Sequence, residues 1–224
     1  MSAQGELRAY DADTGSLKKT WKLPSGTVGN SLALGGDGAY YIGDIGPTAR
    51  IVRIDPDDDT VSVWIEDAVS WGPEVTGGFG LGGMDYNGKD AFYAVCARAL
   101  WRVPVKSDGS AGTLEKVTVT LDGNLVEAVL ADGMSWAGDN TVYYAQNDVF
   151  LPGAQGTLYR LELTEPAEGK LNVYQPGLKD PSGVFVATLS GIRYVLVNES
   201  QYGHLFGVDE GSPTLPFRVL VFEP

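Results

Sequence analysis

Four residues stand at a spacing that could gather them around one point. Asn30, Gly82, Asp132 and Ser182 each open a short apolar segment, and they lie 52, 50 and 50 residues apart. Asp132 offers a carboxylate able to bind a cation or act as a general base. Asn30 and Ser182 offer an amide and a hydroxyl that can orient a polar ligand; Gly82 brings no side chain. A hard divalent cation such as calcium takes six to eight oxygens, usually with several carboxylates among them. Asp132 and Asn30 alone do not complete such a shell. Asp44, Glu74, Asp148 and Glu199 fall beside the same segments and could add oxygens, although the ordinary role of a loop acid is a solvated turn cap.

Other chemistries have less to stand on. His204 is the single histidine, so a Ser–His–Asp arrangement has one available base, set in a glycine-rich segment. No pair of His or Cys residues has transition-metal spacing. Cys96 is the one cysteine, within Ala94-Val95-Cys96-Ala97; it reads as a small buried side chain, and an intrachain disulfide is ruled out. The run Gly77-Gly78-Phe79-Gly80-Leu81-Gly82-Gly83 lacks the following Lys and helix of a phosphate loop. Trp64, Trp71, Trp101 and Trp136 could line a sugar or aromatic pocket, but packing between layers is the ordinary use of such rings.

Charge narrows the partners. The chain carries 29 acidic and 16 basic residues, a formal net charge of −13, and such a field repels a phosphate backbone, so no nucleic-acid partner is expected. No apolar run approaches the roughly 18 residues of a membrane span. Met1-Ser2-Ala3-Gln4-Gly5 shows no basic region followed by an apolar one, so no signal peptide is visible in this chain, and a soluble protein is expected; a longer natural form could still be secreted.

The elements that must hold the four residues are repeated strands. Each of the four segments is followed, 11, 11, 11 and 12 residues after its first residue, by Tyr41, Tyr93, Tyr143 or Tyr194 in a second apolar run. A third run follows in three copies: Ile51-Val52-Arg53-Ile54, Leu100-Trp101-Arg102-Val103 and Leu158-Tyr159-Arg160-Leu161. A polar turn and a fourth run complete each: Val61-Ser62-Val63-Trp64, Leu114-Glu115-Lys116-Val117 and Leu171-Asn172-Val173-Tyr174. Alternation at period two marks strands, and the 30 glycines supply tight turns between them. Four short antiparallel strands per roughly 50 residues describe a β-propeller blade. Leu7–Asp11 and Lys19–Leu23 look like the outer pair of a blade whose inner strands are missing, and Phe217–Val221 ends the last unit. About four and a half blades are therefore expected over 1–224, as one all-β propeller domain. Either the C-terminal inner strands join the N-terminal outer pair to close a small ring, or the chain is an N-terminally incomplete part of a larger one.

At Asp132-Gly133-Met134, Leu100-Trp101-Arg102-Val103-Pro104, Tyr194-Val195-Leu196-Val197-Asn198 and the closing Leu215-Pro216-Phe217-Arg218-Val219, the chain resembles the SMP-30/gluconolactonase-like family of six-bladed propellers. The resemblance implies six blades, a divalent cation, often calcium, at the channel mouth, and in some members hydrolysis of lactones or similar esters. In those members the cation is held by a first-blade Glu, an Asn opening one inner strand and an Asp opening another. Asp132 matches the Asp, and Asn30 matches a further Asn near the substrate. Gly82 stands where the liganding Asn would be, and the first-blade Glu has no counterpart. Asp132 is then the metal-binding and catalytic residue, Asn30 a metal and substrate contact, and Ser182 a substrate contact. The alternative is a non-catalytic propeller that binds a small molecule or a protein partner at the channel mouth.

Overall fold

A computed structural model describes residues 2–3, 5–71, 80–96, 98–127, 131–147, 149 and 155–223. Glu74 and Asp148, and the first three residues of the glycine run, Gly77-Gly78-Phe79, lie outside the described residues. The chain folds as an all-β propeller-type protein of five antiparallel-based sheets among those residues. Among the described residues its helices are single turns, α1 (Ala68–Trp71) and α2 (Tyr202–Leu205). No helix among the described residues is long and apolar enough to cross a membrane.

Two compact units divide the chain: Met1–Ala97 with Trp101–Glu115, and Arg98–Leu100 with Lys116–Pro224. In the first, β1 (Ser2–Ala3), β2 (Glu6–Tyr10) and β3 (Leu17–Lys22) form a three-stranded sheet. The expected outer pair is therefore present, and a two-residue strand lies along it. Its turn is built by Asp11, whose Oδ1 accepts from the N–H groups of Asp13 and Thr14 at 3.1 and 2.9 Å, and by Gly15 at φ 70°, a left-handed conformation that glycine adopts without steric cost. Next comes the four-stranded sheet of β4 (Gly29–Leu34), β5 (Tyr40–Asp44), β6 (Arg50–Ile54) and β7 (Val61–Glu66), paired in chain order. The third sheet runs β8 (Met84–Tyr86), β9 (Ala91–Cys96), β10 (Ala99–Pro104) and β11 (Glu115–Lys116).

In the second unit the repeat is elaborated. The strands β14 (Ala131–Gly138), β15 (Thr141–Gln146), β16 (Gly156–Glu165) and β17 (Glu168–Leu178) make the expected blade. A hairpin of β12 (Thr118–Leu121) and β13 (Asn124–Val126) extends it to six strands, with β12 pairing parallel to β17 through Thr118 opposite Glu168 to Leu121 opposite Leu171. The last sheet is β18 (Pro181–Leu189), β19 (Ile192–Glu199) and β20 (Arg218–Phe222). These C-terminal strands form a sheet of their own among the described residues.

Faces between sheets hold the core. In the first unit Tyr41, Ile51, Trp71, Leu81, Met84, Phe92 and Cys96 are buried together, and Leu7, Trp21, Ile42, Val52 and Ile54 form a second cluster. In the second unit Tyr143, Leu158, Leu178, Val195 and Val197 do the same. The tryptophans serve packing: Trp64 and Trp101 lie against the first cluster, Trp71 is inside it, and the Trp64 and Trp101 indole N–H groups donate to the carbonyls of Gly109 and Cys96 at 2.8 and 3.1 Å. Trp136 is half-buried on β14.

Candidate functional site

The four residues singled out by spacing share one local structure. Gly29 pairs with Asp44 and Ser31 with Gly43, leaving Asn30 extra. Pro181 pairs with Glu199 and Gly183 with Asn198, leaving Ser182 extra. Ala131 pairs with Gln146 and Met134 with Tyr144, so Asp132 and Gly133 together face Ala145. Gly82 donates its N–H to Val95 O while Val95 N–H donates to Gly83 O, both at 2.9 Å, so these two glycines likewise face one residue. Each inner strand therefore opens on a β-bulge, a device that bends the strand and re-aims the extra side chain. β8 is consequently shorter than its sequence suggests, since Gly82 and Gly83 precede its ladder.

Within each unit the structure brings these bulges into contact in pairs. In the first, Asn30 is exposed and its Nδ2 reaches the Leu81 carbonyl at 3.5 Å. In the second, a Cβ built on Gly133 would stand 2.6 Å from both Ser182 O and Val184 N, so only glycine lets the backbone after Asp132 lie against the opening of β18. Asp132 is half-buried there. The Ser182 hydroxyl is held by Asn198: Asn198 Nδ2 donates to Ser182 Oγ at 3.0 Å, and Asn198 Oδ1 accepts from the Gly183 N–H. Ser182 is a positioned polar contact.

The neighbouring acids are already engaged. Asp44 is fully buried; its Oδ1 accepts from the Val28 and Gly46 N–H groups, each at 2.8 Å, and its Oδ2 pairs with Arg50 Nε at 3.0 Å. Glu199, also buried, holds the equivalent place in the last sheet: Oε1 accepts from Lys179 N–H at 2.9 Å and Oε2 pairs with Arg218. Both carboxylates tie the segment entering an inner strand to an arginine at the start of a third strand. Among the described residues no three His, Cys, Asp or Glu side chains cluster as metal ligands. Among the described residues neither the Asn30 amide in the first unit nor the Asp132 carboxylate in the second is joined by enough carboxylates within its own unit to fit a resident calcium ion.

A polar cavity opens where the chain enters β18. It measures about 180 Å³ and is lined by Leu178, Lys179, Asp180, Gln201, His204 and Asp209, among others. The segment Leu178–Asp180 leads directly into β18. Asp180 is buried and its Oδ2 accepts from the Gly203 N–H at 2.7 Å, fixing the first turn of α2. Gln201 clamps Thr214 from both ends of its amide, at 2.7 and 2.8 Å. His204 Nδ1 is buried without a hydrogen-bond partner among the described residues. Sequence spacing alone did not reach Asn198, Asp180 or Asp209, because they come from strand ends and a loop that carry no repeat; His204 was visible as the lone histidine.

No protein-family model matches the chain, and no curated protein matches it in sequence. Its fold is similar to virginiamycin B lyase from Staphylococcus aureus, at TM-score 0.56 and 15% identity, over 86% of this chain and 55% of that one. It is equally similar to the major allergen Mala s 1 of Malassezia sympodialis, at TM-score 0.56 and 15% identity, over 80% and 51%. The WD40 repeats of RRP9 match at TM-score 0.55 and 10% identity, over 87% and 51%. The chain thus spans about half the length of these solved structures. They support the β-propeller fold, and the SMP-30/gluconolactonase resemblance is supported to that level only.

Proposed function

We propose that the protein is a propeller that binds a small polar molecule in the cavity lined by Lys179, Asp180, His204 and Asp209, where the chain enters β18. One observation carries this reading: His204 Nδ1 is buried and unpartnered in a polar cavity. Buried polar atoms are nearly always hydrogen-bonded, and a ligand atom is the natural partner for one that is not. Lys179, Asp180 and Asp209 surround it with charges of both signs, which suits a hydroxylated or zwitterionic ligand. At about 180 Å³ the space equals about six water molecules at ~30 Å³ each, so the ligand is small.

Lactone hydrolysis is the second reading, favoured by the place of Asp132 in the bulge that opens β14. Glu199, the buried carboxylate that closes the opening of β18, is engaged by Lys179 N–H and Arg218, and no cluster of metal-ligating side chains is found among the described residues, so binding without turnover is preferred. Calorimetry with hexoses, aldonic acids, their lactones and amino acids tests the proposal. Binding by at least one of them, weakened about tenfold or more in His204→Ala and in Asp209→Asn, is expected. Absence of heat across the set, or affinity unchanged in His204→Ala, overturns it.

A further inference from the structure

The last sheet is apolar on both of its faces, and one of them is open. On β18, β19 and β20 the ladders put Val184 opposite Val197, which stands opposite Leu220, and Val186 opposite Val195, which stands opposite Phe222. This face is packed with Ala137, Tyr143 and Leu158 of the neighbouring sheet. Alternation along a strand turns the residues between them the other way. There Phe185, Leu196 and Val221 form a row across the three strands. Ala187 opposite Tyr194, Leu189 opposite Ile192 and Asn198 opposite Val219 flank the row. None of these side chains is charged. Phe185 and Leu189 are each 63% exposed, Val219 59%, Val221 58% and Ile192 48%. A sheet with one face in water ordinarily carries polar residues on that face, so this sheet has the composition of one covered on both sides.

The chemistry of the open face selects what covers it. Small molecules bind in concave sites, whereas a sheet face accepts another flat surface, and a charged mate would be desolvated without a partner. The exposed face of β2 and β3 is unsuited: it carries Glu6 opposite Lys22 and Arg8 opposite Thr20, so copies stacked head to tail through it would bury charges. The face of β18–β20 suits itself. Two copies related by a two-fold axis present the same patch to each other, and two sheets pack face to face with their strands within about 30°. The five open side chains expose on the order of 100 Å² each. With Ala187, Tyr194 and Leu196, two copies would bury roughly 1,200 Å² in total, the lower bound of a standard specific interface.

We propose that the protein forms a two-fold dimer in which the outer faces of β18–β20 from two copies pack on each other. The interface is small and each copy carries a net charge of −13, so the dimer is reversible, and salt strengthens it by screening the repulsion between copies. It uses none of the residues that line the polar cavity, and the two readings are tested separately.

Sedimentation equilibrium on wild type and on Phe185→Asp, Val221→Asp and Leu125→Asp tests it. Wild type should pass from monomer to dimer and no further, with a dissociation constant of about 1–100 µM. Phe185→Asp and Val221→Asp should each weaken the association about tenfold or more, because each buries a carboxylate without a partner. Both positions are exposed, so each variant should keep the circular dichroism spectrum of the folded monomer. Leu125→Asp, at a 77% exposed position on β13, should dimerise as wild type does, which separates this face from general apolar stickiness. Raising NaCl from about 50 to about 500 mM should tighten the wild-type dimer. The proposal is overturned if wild type stays monomeric up to about 200 µM, which would leave the face to a different protein. It is also overturned if Phe185→Asp and Val221→Asp dimerise as wild type does, or if association continues past the dimer, which would reveal a head-to-tail contact.

Discussion

Asp44 and Glu199 show how a residue nominated for chemistry can be consumed by architecture. Each ends the second strand of its sheet opposite the residue that opens the first, Gly29 or Pro181, and each accepts from the backbone just before that opening. Arg50, itself buried, completes the Asp44 site by donating from Nη2 to Ser25 O and Thr27 Oγ1 at 3.0 and 2.8 Å. Breaking such a buried pair from one side leaves a charge and two N–H groups without partners. Asp44→Ala is expected to cost about 3–5 kcal/mol in urea denaturation, and a loss under about 1 kcal/mol would show that Arg50 finds another acceptor. From the sequence both residues were legible only as acids near the inner strands. Strand pairing decides which way a side chain points, and Arg218 lies 19 residues from Glu199, so nothing local announced the partnership. The Ser182–Asn198 contact was hidden for the same reason, whereas Asn30, Asp132 and Ser182 could be found because the repeat marks the start of each inner strand.

At the scale of elements, the period of about 50 residues was legible because blade geometry fixes strand and turn lengths. Tyr41 stands opposite Arg53, and Tyr143 opposite Arg160, so the Tyr of the second run and the Arg of the third form a cross-strand pair. Tyr194 has Ala187 opposite it, five residues after Ser182, where Tyr41, Tyr93 and Tyr143 have residues three after Asn30, Gly82 and Asp132. The shift is even, so the side chain keeps its face. The bulges and the β12–β13 hairpin were not legible: a single extra residue leaves the alternation intact on either side of it, and the parallel pairing to β17 joins segments some 50 residues apart. The cross-strand pairs also set the response to pH. Burial pushes the Asp37 carboxyl up, but Arg53, the Ala39 N–H and the Tyr41 hydroxyl outweigh it and hold it below the ordinary carboxylate value. Its contribution is present above about pH 4, the unfolded value, and is lost as pH falls through the lower folded value. Tyr41 is pushed up to about 12 by burial first and by Asp37, so its contribution holds below pH 10 and is lost as pH rises from about 10 to 12. Thermal melts by circular dichroism should therefore fall on both limbs, with Asp37→Asn flattening the acid limb and Tyr41→Phe the alkaline one. A melting temperature constant from pH 9 to 12 would contradict the burial of Tyr41, Tyr93 and Tyr143.

For the whole molecule, the decisive question is whether an acidic propeller is also a catalytic one. The net charge of −13 favours cations near the surface in general, but a diffuse field does not make a coordination shell. A catalytic cation must be held firmly by several protein oxygens while one position stays open for substrate. Here Gly82 offers no side chain, Asn30 offers an amide, and the buried carboxylates nearest the inner strands are committed to Arg50 and Arg218. The weakest protein calcium sites, with dissociation constants of about 10⁻⁴–10⁻³ M, still use several oxygens, so a calcium titration is expected to reveal no site tighter than about a millimolar. Under the same conditions, aldonolactones and aromatic lactones should be hydrolysed at the uncatalysed rate, with or without calcium, and Asp132→Asn should change nothing. Turnover well above background that vanishes in Asp132→Asn would mean that Asp132 acts with ligands beyond the described residues, and the binding function would give way to catalysis.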